Sequence, residues 1–572
     1  RCLLSDLEPI DHFTLLKIAD SEQLNPLHKA VSQHCESDKV RSLLDQLDPK
    51  SKLELLTQPD FEGVTPLHKA VSFTDNSDAI RSLLDDLETV EKIKLLRAQD
   101  QKKSTPLHVA AQFAGNDRVI RSLLEKIKPS EKKLVLEILD AEQSTALHKA
   151  VCSPGCADVI RCLMDGLESP DKLAFVSMKN GIQETPLHLA VRVQGNADAV
   201  RALLEGLTIA ERKEVLMMRN SDRSTPLHQA AQVDQKSHVV RALLDKLEDK
   251  ERWRFLMEHD EYQSVPLHKA AANSDHDTIE SLLEKLQPSA VVKLLKMQTA
   301  PENSTPLHKA AARCKNLHVL ESLTKRLQPE EKLALLEAVD DHGSTPLHYA
   351  ALHSEDAAAI ELLLKRLPYN SLVQLLKIRN ENLSTPLHEA AAWNENNQVI
   401  ESLLKPLRYK DKLDALQIKG FEEQSVLHHA VVTSGNVSVA GKILKDIKQA
   451  DRVELLKMQD RQRSTLLHSL FILGEDFGLT SCLLDGWQLH QKLELLMHRA
   501  AAAAATTECN RSDALKALLD GLESSDKLKL LMMQDSDGST PLHRAAKNKN
   551  KDTVYIDMFL NGVTEGETIT NH

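Results

Sequence analysis

The sequence predicts an all-α solenoid of stacked helix-turn-helix units, and three observations predict it. An octet close to STPLHVAA (residues 104–111) recurs with its histidine at His28, His68, His108, His148, His188, His228, His268, His308, His348, His388, His428 and His468, a strict 40-residue step. Each copy opens two apolar stripes at helical spacing, such as Leu67, Ala70 and Val71, then Ile80, Leu83, Leu84 and Leu87. An aromatic fraction of 3% and only 18 glycines in 572 residues suit helices packed through leucine and alanine. At this period one unit cannot bury its apolar face alone, so it must stack on its neighbours.

The octet starts the first helix. Thr105 offers a capping hydroxyl, Pro106 fits a first turn that needs no N–H, and Leu107, Ala110 and Ala111 form the inward stripe. These residues resemble the T-P-L-H-x-A-A signature of the ankyrin repeat. The resemblance implies a hairpin turn followed by two antiparallel helices, with the histidine a framework residue bonded to the threonine hydroxyl and nearby backbone. The chain thus reads as an ankyrin-type α-solenoid. Val265 and Ser425, standing where most octets have threonine, are expected to loosen their turns.

After the second helix the units run longer than a 33-residue ankyrin repeat. The extra segment, as in residues 88–100 with Val90, Ile93 and Leu96, predicts a short third helix. Ser169-Pro170-Asp171 reads as cap, first-position proline and first-turn acid, with related signals at Pro129 and Pro329. Leu53, Leu55 and Leu56, and Leu333, Leu335 and Leu336, are expected to cover the outer edge, each contributing about 1.5–3 kcal/mol where fully buried.

The hairpin D-x-x-G-x-T survives in residues 60–65, 340–345 and 535–540, with Gly63, Gly343 and Gly538 free to take positive φ. Elsewhere Lys103, Gln143, Gln183, Arg223 or Asn303 stands there, which leaves the turn conformation open and predicts short loops with little strand character.

Four segments follow from the register: 1–20, the second half of a repeat; 21–480, regular repeats; 481–530, a degenerate repeat; and 531–572, a last repeat and tail. Residues 1–20 align with the back half of a unit, so preceding sequence is expected. The seventh unit drops a residue before Ile279 and regains it before Thr305. Ala500–Ala505 reads either as helix-favouring sequence or as a stand-in for unassigned side chains.

Second helices carry Arg with an acid four residues on (Arg41 and Asp45, Arg81 and Asp85, Arg121 and Glu125, Arg161 and Asp165, Arg201 and Glu205, Arg241 and Asp245), reversed later at Glu321 and Lys325, Glu361 and Lys365, and Glu401 and Lys405. Intrahelical pairing is the simpler reading and a partner-docking stripe the other. Either way the outer face should change potential near residue 280.

Nothing nominates catalysis. Histidines repeated at one structural position are scaffold rather than general bases, and no nucleotide loop, nucleophile elbow or zinc-protease motif occurs. Cys152 and Cys156 lack a second ligand pair at zinc spacing, so no metal or cofactor is expected and the thiols read as free, in a reducing compartment. A net charge of −12 with both signs interspersed argues against nucleic acid, and no apolar run suits a membrane span.

The ankyrin resemblance places a partner along a concave groove, touched by hairpin tips and by the residue between His and Ala of the octet. The matching candidates are Lys29, Lys69, Lys149, Lys269, Lys309 and Tyr349, with Lys102, Lys103 and Arg223 at hairpins and Trp393 nearby. Tyr349 and Trp393 are the aromatic anchors. The leading reading is a non-enzymatic, cytoplasmic protein-interaction scaffold for an acidic or extended protein segment. The alternatives are a recognition or autoinhibitory arm of a larger protein, and a mechanical tether.

Overall fold

The computed structural model describes residues 9–461, apart from short segments at 32–36, 46, 74–76, 274, 314–316, 395 and 434–436. The expectations for the octet at His468, for Asp535–Thr540 and for the segments 481–530 and 531–572 lie outside the described residues. Each repeat is a triad of short helices. After the hairpin at Asp100 they run Pro106–Ala111, Asp117–Leu124 and Pro129–Leu136, and the triad recurs from Pro26 to Lys457. The chain parts into two compact units, Arg1–Ala300 and Pro301–His572. Within each, first helices pack on first helices, as Pro306–Ala312 on Pro346–His353, and second on second, as Ala157–Met164 on Ala197–Leu204.

Cap chemistry explains where the helices begin. Thr105 is extended at φ −91°, its hydroxyl accepts the His108 N–H, and the His108 ring reaches back to the Thr105 N–H, a capping box with histidine in the usual place of glutamate. The third helix predicted from residues 88–100 is Thr89–Leu96, and Glu91 closes a box on Glu88. At the Ser169 copy the cap falls one residue earlier, on Glu168, with Pro170 still in the first turn.

Not every expected leucine is buried. Leu55, Leu56, Leu335 and Leu336 are, but Leu53 and Leu333 are only half-buried and Val90 is exposed. A lysine takes the inner position: Lys52 and Lys332 are 4% and 7% exposed. Lys132 shows why, its Nζ donating to the carbonyls of Cys162 (3.0 Å) and Asp165 (2.6 Å) at the end of the next second helix. Lys52 does the same for Ser82 and Asp85, and Lys332 for Leu362 and Lys365. A cation there satisfies helix-end carbonyls that have no partner within their own helix. Burial pushes the amines of Lys132 and Lys332 down to about 8.

The hairpin adopts one conformation whatever its residue. Gly63 and Gly343 have φ of +79° and +69°, and Lys103, Gln143, Gln183, Arg223 and Asn303 take +51° to +62° at the same point. The turn is imposed from within: Asp140 Oδ1 accepts from the N–H groups of Glu142 (2.9 Å) and Ser144 (2.8 Å), and Asn180 does the same for Ile182 and Glu184. Successive turns are tied tip to tip, as Ala141 N–H to the Lys102 carbonyl at 2.9 Å. Among the described residues there is no strand, only an isolated bridge between Lys419 and Ser425.

The slip in the seventh unit appears as second and third helices at His276–Leu283 and Pro288–Leu295, one residue early, before Pro306 restores the register. The expected loosening at Ser425 is not found, because its hydroxyl keeps the 2.8 Å contact to His428 Nδ1. Val265 loses the hydroxyl but its N–H still reaches His268 Nδ1 at 3.1 Å.

The pairing of Arg with the acid four residues on is corrected. Glu125 stands past the end of its helix with ψ 131°, so it leaves the face that an i, i+4 partner would share. It meets Arg81 of the preceding repeat at 3.4 Å, as Glu205 meets Arg161 at 3.1 Å and Glu361 meets Lys405 at 2.8 Å. The acid that looked local links neighbouring repeats, while Arg81, Arg161 and Arg201 keep a local pair with the aspartate three residues before them. These pairs are largely exposed, so each contributes on the order of 0–1 kcal/mol.

Candidate interaction surface

The octet histidines join repeats. His108 Nδ1 lies 2.7 Å from the Thr105 hydroxyl and accepts the Thr105 N–H, so Nε2 carries the proton and donates it to the Ser144 carbonyl, 36 residues on, at 3.0 Å. The same geometry recurs at His68, His148, His188, His228, His308 and His348. Burial pushes His148, His188, His228 and His348 down to about 4. Such imidazoles are fully used by the framework and have no lone pair left for a substrate or metal.

Among the described residues the rung departs from this pattern at His268, whose Nε2 turns to the Met297 carbonyl 29 residues on, and it is lost at His388. His388 Nε2 has no hydrogen-bond partner among the described residues, and its ring packs edge-on to His429 with centroids 5.0 Å apart. The hairpin beneath has changed there, with Glu422 and Glu423 at φ +54° and +56° and a π-helical turn over His429–Thr433.

What remains partly outward is the position after the histidine in most repeats, Gln229 and His429 being buried, together with the hairpin tips. The lysines predicted there are not bare charges. Lys29, Lys69, Lys149 and Lys269 each reach a hairpin carboxylate nine residues earlier, on Asp20 (2.5 Å), Asp60 (3.1 Å), Asp140 (2.9 Å) and Asp260 (2.8 Å). Lys309 pairs with Glu302 instead. Lys102, Lys103 and Arg223 are exposed at the hairpin tips, and Trp393 is 62% exposed at the end of its helix.

Tyr349 occupies the lysine position of its repeat and donates its hydroxyl to Asp340 Oδ2 at 2.7 Å. In the next repeat Glu389 stands there and accepts from Asn380 Nδ2 at 3.0 Å. Between them opens a cavity of about 230 Å³. Its walls include Tyr349, Leu352 and Glu389, and its rim the tips at His342 and Glu381, paired at 2.8 Å. Trp393 is not part of its lining. Sequence reasoning missed Asp340, Asn380, His342 and Glu381; the nine-residue spacing from hairpin acid to octet variable position was the available signal.

The family model for ankyrin repeats, in three copies, matches residues 85–173, 187–292 and 267–371. These segments belong to the ankyrin-repeat family. Ankyrin repeats are generally protein-interaction modules, typically without enzymatic activity. Among solved structures, the ankyrin repeat domain of Bcl-3, described as a unique member of the IkappaB protein family, is 22% identical. The match covers 46% of this ankyrin chain and 98% of that one, with a TM-score of 0.31. No curated protein matches. Among the described residues no helix of this ankyrin chain is long and apolar enough to cross a membrane.

Proposed function

We propose that this chain is a non-enzymatic scaffold that holds an extended segment of a partner protein against the hairpin tips and octet variable positions. One observation carries the reading. The repeated side chains (threonine, histidine, hairpin Asp or Asn) are consumed in bonds within and between repeats, while the half-exposed position after the histidine changes chemistry from Lys69 to Val109, Leu189, Tyr349 and Glu389. A surface whose frame is constant and whose contacts vary serves recognition of a particular sequence rather than a single reaction.

Cys152, Cys156 and Cys162 are free thiols, and burial pushes Cys156 up to about 11, so it is no thiolate nucleophile. Free thiols support a reducing, intracellular setting. The test is affinity capture on the full chain followed by titration of the captured partner against Trp393→Ala, Lys102→Glu and Arg223→Glu, all exposed and outside the histidine rungs. At least one should weaken binding about tenfold, roughly the 1.4 kcal/mol expected of a modest interface contact, with an unchanged circular dichroism spectrum. Equal binding by all three would remove the proposal.

A further inference from the structure

In four repeats the position after the octet histidine is a lysine whose ammonium lies 2.5–3.1 Å from the hairpin aspartate. In two consecutive later repeats that lysine is missing. Tyr349 and Glu389 replace it, and both line the cavity of about 230 Å³. In the first of these repeats the hairpin acid, Asp340, has stayed; in the second the hairpin carries Asn380 and the carboxylate is Glu389 itself. Among the described residues neither Asp340 nor Glu389 has a lysine or arginine in ion-pair range; Asp340 accepts from the Tyr349 hydroxyl and from the N–H groups of His342 and Ser344, and Glu389 from the Asn380 amide. Glu381 is already matched by His342.

We propose that this cavity receives one basic side chain, lysine or arginine, from an extended partner segment, which supplies a cation of the kind that Lys29, Lys69, Lys149 and Lys269 provide in their own repeats. The inference rests on the scaffold reading and names the partner's chemistry at one place. The volume is below the roughly 300–1,000 Å³ of small-molecule pockets, which suits a single side chain. The Tyr349 ring, stacked on His353 with centroids 6.4 Å apart, lines the cavity, and Leu352 gives an apolar wall for the aliphatic stem. Half-buried Glu389 is pushed up by burial with no cation to oppose it, a condition that an arriving ammonium or guanidinium reverses. An acidic segment, by contrast, would bring another carboxylate beside half-buried Glu389.

The experiment is selection of a random twelve-residue displayed peptide library on the full chain, followed by calorimetric titration of the selected peptides. Wild type is compared with Tyr349→Lys and Glu389→Gln. Tyr349→Lys rebuilds the pair already present at Lys69 and Asp60, so it should fold normally, which thermal unfolding checks, while placing a built-in cation beside the cavity. The expected result is a fixed basic position in the selected peptides and a loss of at least tenfold in affinity with both variants. Norleucine at that position should abolish binding, and exchanging lysine for arginine tells which is preferred. Selected peptides that are acidic, or that bind Tyr349→Lys as tightly as wild type, overturn the basic receptor while leaving the scaffold reading in place. Failure to select any peptide would count against both.

Discussion

Lowering the pH attacks every histidine rung at once. An unfolded imidazole takes up its proton near pH 6.5, whereas His148, His188, His228 and His348 hold theirs off until about 4, because they are buried and because Nδ1 faces an N–H donor. Between pH 6.5 and 4 the unfolded chain therefore binds more protons, and stability falls as pH falls. At about 1.4 kcal/mol per pH unit, each such histidine loses about 2 kcal/mol of stabilisation by pH 5. His342 acts in the opposite direction, raised by Asp341 and Glu381, but it is solvent-exposed and its effect is screened. The assay is urea unfolding at pH 7, 6 and 5, with titration of ¹³C-labelled imidazoles to follow protonation directly. His188→Gln, which keeps a side-chain N–H donor for the Ser224 carbonyl, should be less stable at pH 7 yet lose less on acidification. A stability independent of pH over that range, or octet resonances titrating near 6.5, would refute the reasoning.

Three further outcomes follow from the geometry. Asp140→Asn should keep the hairpin, since Asn180 already holds the same turn, whereas Asp140→Ala exposes two unmet N–H groups and should cost about 1–3 kcal/mol in denaturant unfolding. Lys132→Met removes the cation from two helix-end carbonyls and should destabilise by a similar amount, about 1–3 kcal/mol, although methionine fills the same space. Gly63→Ala places a Cβ 3.1 Å from the Gln101 nitrogen at φ +79° and should cost about 1–3 kcal/mol, read as a lowered thermal midpoint.

The candidate surface was partly legible. The octet's internal bonds span three residues, so Thr105 and His108 announced their contact in the sequence. The lysine at each variable position was equally visible. Its partner was not, because an aspartate nine residues back is near only after the hairpin has folded over the first helix. Tyr349 stood out as an aromatic, but the cavity beside it exists only because Glu389, in the next repeat, is set against it by stacking.

The sequence by itself determined the period, the helix starts, the extra helix and the framework role of the histidines, because caps, apolar stripes and turn prolines act over about one helical turn. Tertiary structure alone decided that Lys103 and Gln143 take the left-handed turn of Gly63, and that Glu125 pairs with Arg81 rather than Arg121. It also separated two adjacent lysines that read alike: Lys132 turns inward to the carbonyls of the next repeat, while Lys133 turns outward to Asp171 at 2.5 Å. The physical reason is shared. Each of these arrangements is completed by a contact that crosses from one repeat to its neighbour, at a separation set by how the two seat together, and no local propensity encodes that distance.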